Sequence, residues 1–306
     1  MRCAAGSSNG DRRRREDCRE VNAAAGTQAA VDAFFDRDAP NWQTIYGQAD
    51  IFSVIHQHRQ RIALDWVNSL PLMPGSRVLE IGCGAGLLSV ALARNGFDVV
   101  AADSTPAMLE LARMNAERAG VRVALRQLDV HHLEDEAAGY ELIVALGVIP
   151  WLHSPEVALA GMSTSLRPDG HLIVNCDNRA RLQHLIDPLV SPPLAPARRA
   201  ARRLLNRGER RMVAAMPPTI THWPRQFDRL LARTGLAKIR SLSFGFGPFT
   251  LLGRRLLAEP GSVRLHSRLQ ALADRGVMGL RSTGAQYIVL ARGAGLAGTR
   301  LESDLH

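Results

Sequence analysis

Three glycines stand on alternate positions, Gly82, Gly84 and Gly86, directly after an apolar run (Val78, Leu79, Ile81) that only Glu80 interrupts. Residues 87–93 then repeat apolar side chains at helical spacing. A strand, a glycine turn and a helix in that order bring bare backbone against a nucleotide-like ligand, an approach that side chains on the glycines would block. A second apolar run, 97–103, ends in Asp103, where a carboxylate is placed to accept both hydroxyls of a ribose. A third, 121–128, ends at Asp129 and Val130. The spacing disfavours a dinucleotide fingerprint, whose third glycine falls three residues after the second rather than two.

The form Glu-x-Gly-x-Gly-x-Gly resembles motif I of the class I S-adenosylmethionine methyltransferases. Two further tracts strengthen the resemblance. Asp103-x-x-Pro106-x-Met108-Leu109 is similar to small-molecule enzymes of the ubiquinone and menaquinone type, and Leu166-Arg167-Pro168-Asp169-Gly170 is the turn found before the fifth strand of that family. The resemblance implies S-adenosylmethionine as cofactor. It places Glu80, Gly82, Cys83, Gly84, Gly86, Asp103, Ser104, Met108, Asp129, Val130 and Leu146 around that cofactor. Glu80 would help hold the cationic ammonium, backbone would take the carboxylate, and Asp129 would face the adenine amino group. Phe34-Phe35-Asp36-Arg37-Asp38-Ala39-Pro40-Asn41-Trp42, with Tyr46-Gly47 behind it, looks like the opening of Mg-protoporphyrin and quinone O-methyltransferases.

The elements that must position these residues alternate strand and helix. Strands are predicted at 78–81, 97–103, 121–128, 140–146 and 171–175, with helices between them, which makes an α/β fold with a mostly parallel sheet covered on both faces. Ser104, Thr105 and Pro106 start one helix and Gly120 ends it. Strands at 237–244 and 286–291 complete, in the family, a Rossmann-like seven-stranded sheet as its only antiparallel pair. The division that follows is a disordered basic tail at 1–30, an N-terminal helical cap at 31–72, a cofactor-binding domain at 73–293 and a loose tail at 294–306. Two insertions interrupt the domain. One, 178–225, carries an arginine-rich helix at 198–207. The other, 245–285, ends in a helix with Leu265, Leu269 and Leu272 on one face and Gly276 at its close.

Bulk properties narrow the function. The chain has 306 residues, 46% of them hydrophobic, which suits one large domain with insertions. No run approaches the roughly 18 apolar residues of a membrane span, and Arg12–Arg15 has no apolar core behind it, so no secretory signal is expected. Four scattered cysteines argue against zinc or a disulfide framework and for a cytoplasmic setting; Cys83 reads as packing within the turn. The net charge of +9 is almost all arginine, with Lys238 the only lysine, so it is weak evidence for nucleic acid. Its clustering near 198–211 and 254–268 instead suits an acidic substrate or a peripheral membrane contact.

For a hydroxyl acceptor a base is needed. His153, after the fourth strand, is one candidate, Tyr46 another; His56 and His58 on the cap are weaker, and His131 and His132 fall nearer the adenine. The loop 146–151 lacks the Asn/Asp-Pro-Pro-Tyr of nucleobase amino-methylating enzymes and the Pro-Cys of cytosine C5 enzymes. A small, apolar or lipid-like acceptor, methylated at oxygen, is the favoured expectation. An RNA methyltransferase using the arginine clusters and a non-catalytic S-adenosylmethionine-binding protein remain open.

Overall fold

The computed structural model describes residues 28–293 except 41, 136–138, 195, 198–199, 201–216 and 218. The tails and the arginine-rich helix expected at 198–207 therefore lie outside the described residues. Residues 28–30, expected in the disordered tail, already belong to helix α1 (28–40).

Parallel strands in a sheet covered on both faces must be apolar on both, and β1 (Arg77–Ile81) and β4 (Tyr140–Ala145) show how that burial is divided. Leu79, Ile81, Ile143 and Ala145 face one core with Leu159, Met162 and Phe227; Val78, Leu142 and Val144 face another with Ile62, Trp66 and Leu92. The first core holds α5 (Pro155–Ser165) and the helix Pro224–Arg233. The second holds α2 (Ile51–Asn68) and α3 (Leu87–Arg94). Full burial of side chains as large as Phe227 stabilises by about 2–3 kcal/mol each. Because successive residues alternate faces, Glu80 shares Val78's side and lies under α2 and α3.

The main sheet runs β3 (Ala124–Gln127), β2 (Asp98–Asp103), β1, β4, β5 (Leu166–Asn178), β10 (Gln286–Gly293), β7 (Leu236–Phe244). β10 is antiparallel to both β5 and β7, and the other pairs are parallel. A two-residue strand, β6 (Thr221–His222), adds to the end of β5 as an eighth. β3 is shorter than expected because Gly120 turns left-handed at the end of α4 (Pro106–Ala119) and leaves 121–123 in the connection. The Leu166–Gly170 turn survives inside β5 as a bulge, with Asp169 at φ 64° and the register jumping against β4 from Leu166 to His171.

The long connection 245–285 holds a hairpin, β8 (Thr250–Leu251) with β9 (Arg254–Arg255), and the helix Glu259–Asp274. That helix does not bury the leucine face expected of it. Leu265 and Leu269 are partly covered by Phe246 and Phe249, but Leu272 is exposed, and the buried positions are Ser262, His266, Gln270 and Ala273. The reason is backbone satisfaction: Gly245 N–H donates to Gln270 Oε1 (3.0 Å) and Phe246 N–H to His266 Nδ1 (3.0 Å).

Gly86 illustrates how tightly α3 and α4 are joined. It has φ 71°, and a Cβ there would stand 2.7 Å from Ala112 Cβ. Gly86→Ala is expected to destabilise the fold by about 2–4 kcal/mol, combining left-handed strain with overpacking. Chemical denaturation of the variant measures this directly.

Candidate functional site

The C-terminal ends of β1, β2 and β4 form the floor of a cavity of about 960 Å³. Asp103 is fastened there by two backbone donors, Gly84 N–H to Oδ2 (2.9 Å) and Thr105 N–H to Oδ1 (3.0 Å). A carboxylate offers about four acceptor positions, so two remain for ligand hydroxyls. Burial pushes its pKa up, and the two backbone bonds oppose that. At Gly84, with φ 52°, a Cβ would meet nothing within 4 Å, so the space above this backbone is open for a ligand. Gly82 differs: a Cβ there would strike Val148 at 2.5 Å.

Glu80 is buried and accepts from Ser89 Oγ. Burial, reinforced by the Asp103 charge, pushes its pKa up to about 8. Arg59, from the buried face of α2, pulls it down again. The Arg59 guanidinium stands over Gly147, where a Cβ would come within 2.6 Å of Nη1, and its Nε is buried with no hydrogen-bond partner among the described residues. Gly147 is itself held by Asn175 Oδ1, which accepts from its N–H at 2.7 Å.

The far side of the floor carries Met108, Asp129, Val130 and Leu146. Asp129 is half-exposed; burial raises its pKa, but bonds from the His131 N–H (2.9 Å) and ring (2.8 Å) outweigh this and lower it. The roof is aromatic. Phe34 stacks on Trp151 (6.2 Å between ring centroids), Phe35 meets Trp151 edge-on (5.1 Å), and Trp42 lies against Phe35 (5.8 Å). Ser104 Oγ–H to Asp32 Oδ1 (2.8 Å) ties α1 to the end of β2.

A family model described as a methyltransferase domain matches residues 78–170, the stretch that builds this floor. Residues 78–170 are thus similar to a methyltransferase domain. Among curated relatives, it is 38% identical over 111 residues to the ubiquinone biosynthesis O-methyltransferase of Azorhizobium caulinodans and 31% identical over 150 residues to that of Acinetobacter baylyi. These matches cover 36% and 48% of this chain, and 44% and 61% of the relatives, so the chain spans about half the length of the curated relatives it matches. The magnesium protoporphyrin IX methyltransferase of Synechocystis PCC 6803, solved with S-adenosylhomocysteine, superposes with a TM-score of 0.58 at 16% identity, covering 87% of this chain and 99% of that one. The [4+2]-cyclase SpnF superposes at 0.54 with 16% identity, covering 86% and 94%.

The fold brings together on one cavity wall all the floor residues singled out from sequence except Gly86, which packs against α4 instead. His153 is not on that wall. It is exposed and stacks on His131, 3.8 Å between ring centroids, because the loop after β4 coils into a short 3-10 turn at Ile149–Trp151 and presents Trp151 to the cavity in its place. The side chain of Tyr46 lies outside the described residues. His56 lines the cavity, its Nδ1 bonded to Phe52 O (2.8 Å); burial, with Arg59 nearby, pushes its pKa down to about 3. His58 points away, toward Phe244 and His266. Arg59 and Asp177 were missed. A signal for Arg59 existed: it occupies a helical position in register with Ile55, Ile62 and Trp66, on a stripe otherwise apolar.

Asp103→Ala is expected to weaken S-adenosylmethionine binding roughly 100-fold or more, the loss of two charge-assisted hydrogen bonds, as read by titration calorimetry. Glu80 supplies a pH test. Free Glu80, with its pKa near 8, is mostly protonated at pH 7, and a cationic ligand favours its carboxylate. Binding then releases a proton, so affinity rises with pH, by up to about tenfold per unit below pH 7.5. Glu80→Gln is expected to bind more weakly and without that slope.

Proposed function

We propose that the protein transfers a methyl group from S-adenosylmethionine to an oxygen of a small, apolar, lipid-like acceptor, in contact with a membrane surface. The observation that carries this is the cavity's continuity: one space joins the Asp103 and Glu80 floor to an aromatic compartment under α1 and α2. S-adenosylmethionine, when bound, supplies an activated methyl on a sulfonium. The residues fit it. Asp103 has acceptor positions left for ribose hydroxyls, the bare Gly84 backbone is open, Glu80 lines the cavity where an ammonium would lie, and the Arg59 guanidinium, its Nε unpartnered among the described residues, suits a carboxylate.

Alignment is the main demand of an in-line displacement. The stacked rings of Phe34 and Trp151, with Phe35 and Trp42 beside them, form a wall for a flat or greasy acceptor, and the buried Trp42 Nε1–H has no partner among the described residues. Asp177, at the end of β5, lines the same cavity. Burial raises its pKa, while the charges of Arg181 and Arg59 pull it down. A carboxylate raised in this way is a better base for an acceptor hydroxyl than an exposed one. We assign it that role in place of His153. The curated relatives' names, ubiquinone biosynthesis O-methyltransferase, support an oxygen acceptor.

The reading is tested by incubating the protein with methyl-labelled S-adenosylmethionine and fractionated cell extract; label is expected in an organic-soluble small molecule. Label in RNA, or none in any fraction, would overturn it. With the acceptor in hand, Asp177→Asn is expected to lower kcat roughly 100-fold or more while leaving cofactor affinity intact. Wild-type activity should fall on the acid side as Asp177 protonates, at a pH above the ordinary carboxylate range, and the variant should lack that limb.

A further inference from the structure

Two surface segments beside the cavity expose large apolar side chains where a water-facing surface would not. Helix α6 (Leu182–Ile186) and the turn after it present Leu185, 66% exposed, with Leu189 and Val190. The β8–β9 hairpin and its continuation present Leu251, Leu252, 61% exposed, and Leu256. Asp187, itself buried, stitches the two together: it accepts from Thr250 Oγ1 (2.8 Å), from Leu252 N–H (3.1 Å) and from Leu189 N–H (2.9 Å). A side chain at Gly253 would begin 3.4 Å from Leu189 Cδ1, so the hairpin tip and the turn are in contact. Leu252 sits at φ 50°, a conformation unfavourable to leucine, yet its side chain gains no burial in return. An apolar surface of this kind marks an interaction site rather than a solvated face.

The charge around it is mostly positive, Glu259 being paired with Arg255. Within 179–194 the sole acid is the buried Asp187, and 250–258 contains none. Arg254 is exposed at the hairpin, and Arg179 lies over the exposed Trp223 ring at 6.0 Å from its centroid. Arg179 is joined to α6, since His184 Nδ1 bonds its carbonyl at 3.0 Å. Along the chain the same insertion continues into Arg198, Arg199, Arg202 and Arg203. Leucines flanked by arginine and an arginine-backed tryptophan match the two layers of a bilayer interface, acyl chains and anionic headgroups. Among the described residues no helix is long and apolar enough to cross a membrane. The platform also adjoins the cavity, because Arg255 of the hairpin and Arg181 at the start of α6 line it.

We infer that the methyltransferase docks on anionic phospholipid bilayers through α6 and the β8–β9 hairpin, with its acceptor compartment opening toward the lipid. This deepens and rests on the apolar-acceptor reading, but the surface itself can be tested without any acceptor. The full chain is mixed with sedimenting vesicles of phosphatidylcholine alone or phosphatidylcholine with phosphatidylglycerol. Binding is expected to the second only, weakening as salt rises. Leu252→Asn with Leu256→Ser, which leaves the cavity untouched and suits the left-handed residue, is expected to cut partitioning roughly tenfold or more with cofactor affinity unchanged. Arg254→Glu, a change in charge alone, should reduce it and flatten its salt dependence. The inference falls if the wild type ignores anionic vesicles at low salt, or if the double variant partitions as well as the wild type. It falls equally if the wild type forms dimers that the double variant abolishes, since the face would then belong to a second copy. Vesicle binding with no methyl transfer into any extract would overturn the catalytic reading and leave this one standing.

Discussion

The cofactor end of the cavity hangs from the register between β1 and β2. Ile81 pairs with Ala102, so the two strands end level and the glycine turn leaves one of them beside the last residue of the other. Cys83 N–H donates to Ala102 O (3.0 Å) and Gly84 N–H to Asp103 Oδ2 (2.9 Å), clamping the turn onto its neighbour. A slip of one residue would turn Asp103 to the opposite face and leave both donors unsatisfied beneath the ligand. The left-handed Gly84 and Gly86 follow from that clamp, because the chain must rise from β1, meet Asp103, and enter α3 against α4 within five residues.

In and around the floor, the protein has ionisable groups where an ordinary core would be apolar. Glu80, Arg59 and Asp177 all sit in or beside the cavity, and burial resists the ionised form of both acids. Ionising a buried acid is costly, so a ligand that brings the opposite charge favours the carboxylate form. A zwitterionic amino-acid end, presented between Glu80 and Arg59, has that character. The roof is locked to the rest by similar polar contacts. Asp50 caps α2 through Phe52 and Ser53, and Glu259 accepts from Ile51 N–H (3.1 Å) while pairing with Arg255. The entrance of the cavity is thereby tied to the hairpin on which the exposed leucines are carried.

The floor was legible in sequence because its signals are local. Alternate glycines, an acid ending each strand and a proline at the start of α4 are each fixed by backbone geometry within a few residues. The roof was less so, since its logic depends on residues far apart in the chain. The helix Glu259–Asp274 reads as a leucine stripe, yet Gln270 and His266 face inward because the loop 245–249 needs acceptors for its N–H groups. His153 reads as a loop base, yet the 3-10 turn at Ile149–Trp151 places it outside and stacks it on His131. Asp177 carries no pattern of its own; only the pairing of β5 with β4, β6 and β10 brings it to the cavity.

That division has a chemical consequence. The family model covers 78–170, and within it lie Glu80, Gly84, Asp103 and Asp129, the residues that suit the cofactor. Arg59, Phe34, Trp42, Asp177, Arg181 and Arg255 all lie outside it and line the rest of the cavity. A shared fold can serve different chemistries, and both a porphyrin methyltransferase and a [4+2]-cyclase superpose on this chain. In this chain the cavity residues outside the matched stretch come from the segments before β1 and after β5. Those segments supply most of an aromatic wall, a partly buried carboxylate raised above its ordinary pKa and a rim of leucine and arginine. The aromatic rings and leucines gain when an apolar surface displaces water, whereas the same exclusion raises the cost of ionising the carboxylate.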